Sequence, residues 1–145
     1  MKAGFDIGGV ISRYPKQMKE LMKALIRGGV EVCILTDMNS KDAMNAVMEN
    51  GFDFIYPDHI HSCDWSGHGD LCKTEVAARI GIDILIDDRP DYCASGDFIG
   101  LVLSPRPDVP YYHESWINKP TSVLVVSSKD YDEFQAWKAQ QKSSD

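Results

Sequence analysis

The amino-acid sequence predicts an α/β fold, a three-layer sandwich around a mostly parallel central sheet. Short apolar runs rich in β-branched residues alternate along the chain with amphipathic segments of helical periodicity. The runs are apolar at successive positions, which is typical of strands covered by helices on both faces. A chain of 145 residues is long enough for one well-formed core but too short for two. We therefore expect residues 1–145 to form a single domain.

The strands are expected where β-forming residues cluster between turn residues. "VEVCIL" and "IDILI" are the clearest examples, since each is short, apolar and preceded by glycine. The predicted strands are 3–7, 30–35, 82–86, 98–103 and 122–126, with a further short one at 52–56 that ends before Pro57. The order of these strands in the sheet does not follow from the sequence.

The helices are predicted from apolar residues that recur every three or four positions. In the first, Met18, Leu21, Met22, Leu25 and Ile26 form one stripe between Pro15 and Gly28–Gly29. Further helices are expected at 40–50, capped by Asn39 or Ser40, at 71–80, and at 130–142, where Asp130 and Glu133 have capping-box spacing. Residues 57–70 are expected to be a polar, histidine-rich loop, and the tail from about 140 to 145 to fray.

Composition and charge exclude several classes of function. A net charge of −7 without a clustered basic footprint argues against binding a nucleic-acid polymer. No apolar run approaches the roughly 18 residues that a membrane helix needs. The first residues lack the apolar region of a signal peptide, so we expect a cytoplasmic protein. The four cysteines are accordingly expected to be free thiols.

Polar residues follow three of the predicted strands. Asp6, Thr36 and the pair Asp87–Asp88 come at their carboxyl ends, where ligands bind in open parallel sheets. Lys73 lies in the first turn of the helix before the strand that ends at Asp87. Each residue alone is most simply a cap, a turn residue or a surface lysine. Together they would place carboxylates, a hydroxyl and an ammonium in one crevice, which suits Mg²⁺ and a phosphate.

In this order, the residues resemble the four motifs of the haloacid dehalogenase (HAD) superfamily of phosphotransferases. The first motif is similar to "FDIGGVI", the second to "ILT", the third to Lys73 and the fourth to "ILIDDRPD", so the resemblance covers roughly residues 3–105. It implies Mg²⁺-dependent hydrolysis or transfer of a phosphomonoester through an aspartyl-phosphate. The implied substrate is a small phosphorylated molecule or a larger phosphorylated partner.

The resemblance also implies a role for each matching residue. Asp6 would be the nucleophile and a metal ligand, and Lys73 would stabilise the phosphorylated aspartate. Thr36 would bind the phosphate, with Lys73 and Asp37 also assigned to substrate binding. Arg89, beside the acids of the fourth motif, could bind the phosphate or form a structural ion pair with Asp91 or Asp87. The implied magnesium ligands are Asp6, the backbone carbonyl of Gly8, Asp87 and Asp88.

Gly8 departs from the pattern of most phosphatases in this superfamily. They have an aspartate two residues after the nucleophile, and it protonates the leaving alcohol and later activates water. The expected consequence is slow turnover of substrates with poor leaving groups, unless Asp37, Arg13 or a loop histidine takes over the role. The alternative is a catalytically degenerate protein that binds phosphate or a protein partner.

Two further features concern the surroundings of the site. The segments between Asp6 and Thr36 and between Thr36 and Lys73 are too short for a folded cap, so the resemblance is to capless members. In the 57–70 loop, His59, His61, Cys63 and His68 offer borderline-soft ligands in close spacing, and a zinc-stabilised binding module is a third hypothesis. Trp65 in this loop could stack on an aromatic substrate such as a nucleobase or could simply anchor the loop. The segment "DDRPD", followed by an aromatic Pro-Tyr stretch, is similar to the (deoxy)ribonucleotidase branch of the superfamily, so the substrate could be nucleotide-like.

Overall fold

The computed structural model describes residues 1–63, 72–93, 96–103 and 123–126, together with the single positions 132, 136, 139 and 140. Within these residues there are six strands: β1 (Lys2–Phe5), β2 (Glu31–Thr36), β3 (Ile60–Ser62), β4 (Ile84–Asp87), β5 (Ile99–Leu103) and β6 (Val123–Val126). They form one sheet in the order β3-β2-β1-β4-β5-β6. The first five are parallel, and β6 is antiparallel to β5.

The described helices connect these strands. They are α1 (Pro15–Arg27), α2 (Ser40–Glu49), α3 (Cys72–Ile80) and the single turn α4 (Pro90–Cys93). Pro15 occupies the first turn of α1. The N-cap of α2 is Asn39, whose side-chain oxygen accepts a hydrogen bond from the Asp42 amide at 2.9 Å. Among the described helices, none has the length and apolar composition needed to cross a membrane.

Two apolar layers cover the two faces of the sheet, which confirms the predicted three-layer α/β sandwich. On one face, Phe5 and Ile34 pack with Met22 of α1 and Val47 of α2. On the other face, a second cluster joins the strands to α3 and α4; its members include Cys33, Leu35, Leu85, Val76, Ala77 and Tyr92. Successive residues of β2 alternate between the two clusters, because side chains of a strand point to opposite faces.

The prediction of a strand at 52–56 is wrong, because the third strand is Ile60–Ser62. Phe52 and Ile55 are buried at a spacing of three, and the Ile55 amide donates to the Phe52 carbonyl, which is turn geometry. A strand would instead have placed Phe52 and Tyr56 on one face, but Tyr56 is 68% exposed.

The prediction that residues 57–70 form a loop is therefore wrong for the first part of this segment. Pro57–His59 form a turn of 3₁₀ helix and β3 follows directly, while 64–70 lie outside the described residues. Most of the helix predicted at 130–142 also lies outside them, although the four described positions 132, 136, 139 and 140 are helical.

Candidate functional site

The carboxyl ends of the three central strands form one edge of the sheet. β1 lies between β2 and β4, and Phe5 is in register with Ile34 on one side and Ile86 on the other. The Asp6 amide donates to the Ile86 carbonyl at 2.9 Å, so the ladder continues one residue beyond β1. The strand-end residues predicted from sequence are therefore brought to the same edge.

A π-type turn at Ile7–Ile11 follows Asp6 directly, with the Ser12 amide donating to the Ile7 carbonyl at 3.0 Å. Gly9 has a left-handed φ of 73°, and a Cβ atom there would lie 2.3 Å from Asp88 Oδ2. Only glycine fits this position, because both the backbone and the adjacent carboxylate exclude a side chain. The turn thus allows Asp88 to lie against the backbone just after Asp6.

Gly8 is under no such constraint. Its φ of −64° and ψ of 129° are values that any residue adopts, and a Cβ atom there would meet nothing within 4 Å. Neither crowding nor backbone conformation therefore requires a glycine at position 8.

Lys73 connects the carboxylates at this edge. Its Nζ atom lies 2.9 Å from Asp6 Oδ1 and 2.5 Å from Asp87 Oδ2, and the lysine is only 1% exposed. The contact with Asp87 is a hydrogen bond, whereas Asp6 Oδ1 is an ion-pair partner without a well-aligned hydrogen bond in the described structure. A cation in the first turn of α3 opposes the helix dipole, so the local helix preference does not explain Lys73.

Three carboxylates cluster at this edge, and the Lys73 ammonium contacts two of them, Asp6 and Asp87. One oxygen from each of Asp6, Asp87 and Asp88 lies within 4.8 Å of the others, and all three residues are buried. Burial raises the pKa of Asp6 to about 7, with a further rise from the charge of Asp87 and an opposing effect of Lys73. Burial likewise raises the pKa of Asp87 to about 6, although Lys73 opposes it. One lysine therefore does not offset the cost of ionising these acids.

Burial acts to lower the pKa of Lys73, but the charges of Asp6 and Asp87 outweigh it and hold this pKa well above its ordinary value. The lysine therefore stays charged at neutral pH. A further cation would stabilise the ionised carboxylates, and hard oxygen ligands at this separation fit Mg²⁺. The donor set and the poorly satisfied Asp6 oxygen thus fit the predicted metal, with Asp6, Asp87 and Asp88 as its side-chain ligands.

Thr36 and Asp37 lie at the end of the neighbouring strand β2. The Thr36 side chain is fully buried, and its hydroxyl oxygen accepts a hydrogen bond from the Met38 amide at 3.2 Å. The hydroxyl hydrogen is still able to donate to a ligand oxygen. Asp37 is exposed, and its charge contributes to the raised pKa of Asp6.

Arg89 is held by a residue that the sequence did not single out. Its guanidinium lies 3.8 Å from the centre of the Tyr92 ring, and Nη1 donates to the Tyr92 hydroxyl at 2.8 Å. Lys73 Nζ lies 4.8 Å from the centre of the same ring. Tyr92 thus supports two cations of the site by cation–π contacts. The only sequence signal is an aromatic residue three positions after Arg89.

Ser62 is the second residue that the sequence did not single out. It is in register with Thr36, and its hydroxyl oxygen is buried without a hydrogen-bond partner in the described structure. Neither its residue type nor its place in the histidine-rich segment indicated this position.

The zinc hypothesis gains no support from the described residues. His59 precedes β3 and Cys63 follows it, so the two lie on the order of 10 Å apart along an extended strand. In the described part of the chain, the three aspartates are the one group able to hold a metal ion. His68 lies outside the described residues, and the complete zinc site stays a prediction.

Comparison with protein-family models finds no match, and comparisons with curated sequences and with solved structures find none either.

The raised pKa of Asp6 predicts how stability depends on pH. The folded protein keeps a proton on Asp6 up to about pH 7, whereas the unfolded chain loses it near its ordinary value of 3.8. Without metal, the contribution of Asp6 to the free energy of unfolding should therefore fall as pH rises between these values, by about 1.4 kcal/mol per pH unit at most. Urea denaturation in EDTA, from pH 4.5 to 8, measures this slope.

Asp6→Asn is the matched control, since it keeps the shape of the side chain and removes the titration. We expect a flatter pH dependence in this variant, and a smaller stabilisation by Mg²⁺ at pH 8. Parallel slopes for the two proteins would contradict the raised pKa.

Proposed function

We propose that the chain is a Mg²⁺-dependent phosphomonoester hydrolase or phosphotransferase of HAD type that acts through an aspartyl-phosphate on Asp6. The observation that carries the proposal is the buried cluster of Asp6, Lys73, Asp87 and Asp88 at the carboxyl edge of the sheet. Three observations support the resemblance found in the four sequence motifs. They are the alternation of the buried residues of β2 between the two faces of the sheet, the contacts of Lys73 with Asp6 and Asp87, and the close approach of Gly9 to Asp88.

Asp6 is the proposed nucleophile. One of its carboxylate oxygens attacks phosphorus while the bond from phosphorus to the leaving oxygen breaks, and the leaving oxygen takes up a proton. Water then attacks the phosphoryl group, which releases inorganic phosphate and restores the Asp6 carboxylate. A phosphotransferase would use an acceptor alcohol in place of this water.

Each neighbouring group has a proposed part in these steps. Lys73, at 2.9 Å from Asp6, orients the carboxylate and offsets charge on the phosphoryl oxygens. Thr36 donates its hydroxyl hydrogen to a phosphate oxygen, and the Arg89 guanidinium, oriented by Tyr92, faces the outer part of the substrate. Asp87 and Asp88 complete the ligand set of the metal, with the Gly8 carbonyl as a further ligand. When bound, Mg²⁺ would supply positive charge that keeps Asp6 ionised and offsets charge on the phosphoryl group.

The second candidate function is a catalytically degenerate protein that binds phosphate or a phosphorylated partner. The observation that favours it is Gly8, because glycine has no side chain that could act as the acid, and Asp37, one of the residues considered as a replacement, is exposed. Residues 7–30, between β1 and β2, hold only the π-type turn and α1, so no cap is inserted there. A site that is not covered by such a cap would be accessible to a bulky phosphorylated partner.

The deciding experiment is phosphate release with Mg²⁺ from an aryl phosphate and from an alkyl phosphate, by wild type and Asp6→Asn. Aryl oxide leaves without help from an acid, so we expect clear aryl turnover, slow alkyl turnover and background rates for the variant. Trapping of phosphate on Asp6, read by mass spectrometry, would identify the nucleophile directly.

The proposed hydrolase is overturned if neither substrate gives release that depends on Asp6 and no phosphorylated Asp6 is trapped. In that case, phosphate binding that is lost in Lys73→Met would favour the degenerate binding protein. Binding that persists in that variant would contradict both candidates at this site.

A further inference from the structure

A second concave site lies at the opposite, amino edge of the sheet. It has a volume of about 390 Å³, and we call it the amino-edge groove. Six of the residues that line it are Lys23, Ile26, Arg27, Phe54, Tyr56 and His59. The groove lies where α1 ends and where the chain passes into β3, next to the first residues of β2. The length of β2 separates it from Asp6 by roughly 17 Å.

The lining of the amino-edge groove is both apolar and cationic. Ile26 is 44% exposed and Tyr56 is 68% exposed, so this groove includes two of the large hydrophobic side chains that the described fold leaves open. Lys23 and Arg27 lie one turn apart on α1, and the Lys23 ammonium lies 5.4 Å from the centre of the Phe54 ring. Neither cation has a carboxylate partner among the described residues.

Glu31 is the acidic residue of this lining, and its charge is already offset. The Lys2 ammonium lies 3.3 Å from its carboxylate. The groove therefore carries local positive charge on a protein whose net charge is −7. A volume of this size, apolar walls and a few charged groups are the properties of small-molecule sites.

We propose that the amino-edge groove binds a small organic anion with an aromatic or branched aliphatic body. The body lies against Ile26, Phe54 and Tyr56, and the anionic group pairs with Lys23 and Arg27. The site is independent of the phosphate chemistry at the carboxyl edge, because it shares no residue with the Asp6 cluster.

The test uses two dyes with the same aromatic body. 1-Anilinonaphthalene-8-sulfonate carries an anion, whereas N-phenyl-1-naphthylamine is neutral. We expect wild type to bind the sulfonate at one site, and the double variant Lys23→Gln/Arg27→Gln to bind it about tenfold more weakly, since both exposed ion pairs with the sulfonate are lost. The neutral dye should bind both proteins equally.

Two further variants separate charge from apolar contact. Tyr56→Ala should weaken the binding of both dyes, and Lys16→Gln, an exposed substitution near the other end of α1, should change neither. All variants should keep the wild-type melting temperature and the wild-type phosphate release, because the groove lies away from Asp6. This also keeps the test independent of the proposed phosphatase function.

Equal sulfonate affinity in wild type and the double variant would overturn the proposal, as would the absence of saturable binding. It would also be overturned if sulfonate binding falls while the protein dimerises at rising concentration, since a second copy would then cover the groove. If Arg27 served only to stabilise α1 through its dipole, the double variant would be less stable than wild type. Its affinity for the sulfonate would then not fall relative to its affinity for the neutral dye.

Discussion

Gly8→Asp is expected to raise the rate of alkyl phosphate hydrolysis by about 10²–10⁴-fold, the usual contribution of a general acid–base group. The position is two residues after Asp6, and a side chain there meets open space rather than another atom. Its backbone angles also suit aspartate. The neighbouring carboxylates should raise the pKa of the new acid, which favours the protonated form that a leaving alcohol needs.

Steady-state phosphate release from the aryl and the alkyl substrate measures this effect. The aryl rate should change little, because its leaving group needs no proton. Gly8→Asn is the matched control, since it has nearly the same size and cannot transfer a proton in this way. Equal gains in both variants would point to positioning rather than acid catalysis, and a folded, Mg²⁺-binding Gly8→Asp protein without any gain would contradict the prediction.

Lys73→Met is expected to destabilise the metal-free protein at pH 8 by about 3–5 kcal/mol, as removal of one partner from a buried ion pair does. Methionine keeps the length of the side chain but leaves Asp6 and Asp87 buried without their cation. The loss should shrink as pH falls toward 5, because protonated carboxylates no longer need the ammonium. Urea denaturation in EDTA at several pH values measures it.

The interpretation of this variant depends on two controls. Lys16→Met removes a lysine from the exposed face of α1 and should change stability by less than about 0.5 kcal/mol. The same Lys73→Met change in an Asp6→Asn background should cost less than in wild type, since one of the uncompensated charges is already gone. An equal cost in both backgrounds would mean that the ammonium does not interact with Asp6 as the geometry indicates.

Much of the fold could be predicted because its physical signals are local. The apolar run of β2, the capping side chain of Asn39 and the proline at the start of α1 each act over a few residues. The strand order could not be predicted, since nothing in β1 alone shows that it pairs with β2 on one side and β4 on the other. The error at 52–56 has the same origin, because the apolar residues Phe52 and Ile55 are buried by a turn rather than by a strand.

The candidate site could be predicted in part for a related reason. Parallel strands bring their carboxyl ends to one edge, so Asp6, Asp87 and Thr36 could be expected there before the strand order was known. The contact of Tyr92 with Arg89 had only the three-residue spacing as a signal, and its contact with Lys73 depends on how α4 packs against the sheet, which the sequence does not show. The sequence likewise did not show that a side chain would fit at position 8, because a glycine in a sequence does not reveal whether the fold requires glycine there.

The central place of β1 also bears on the order in which a growing chain can fold. β1 pairs through Gly4 with Cys33 on one side, which is close in sequence, but with Leu85 on the other. One edge of β1 therefore stays open until synthesis has passed β4. Such long-range pairing slows folding and leaves a hydrophobic strand edge exposed meanwhile. In the folded protein β4 covers this edge, and Lys2 adds two hydrogen bonds of 2.7 Å just before β4: its amide donates to Asp83 Oδ2 and its ammonium donates to the Ile80 carbonyl.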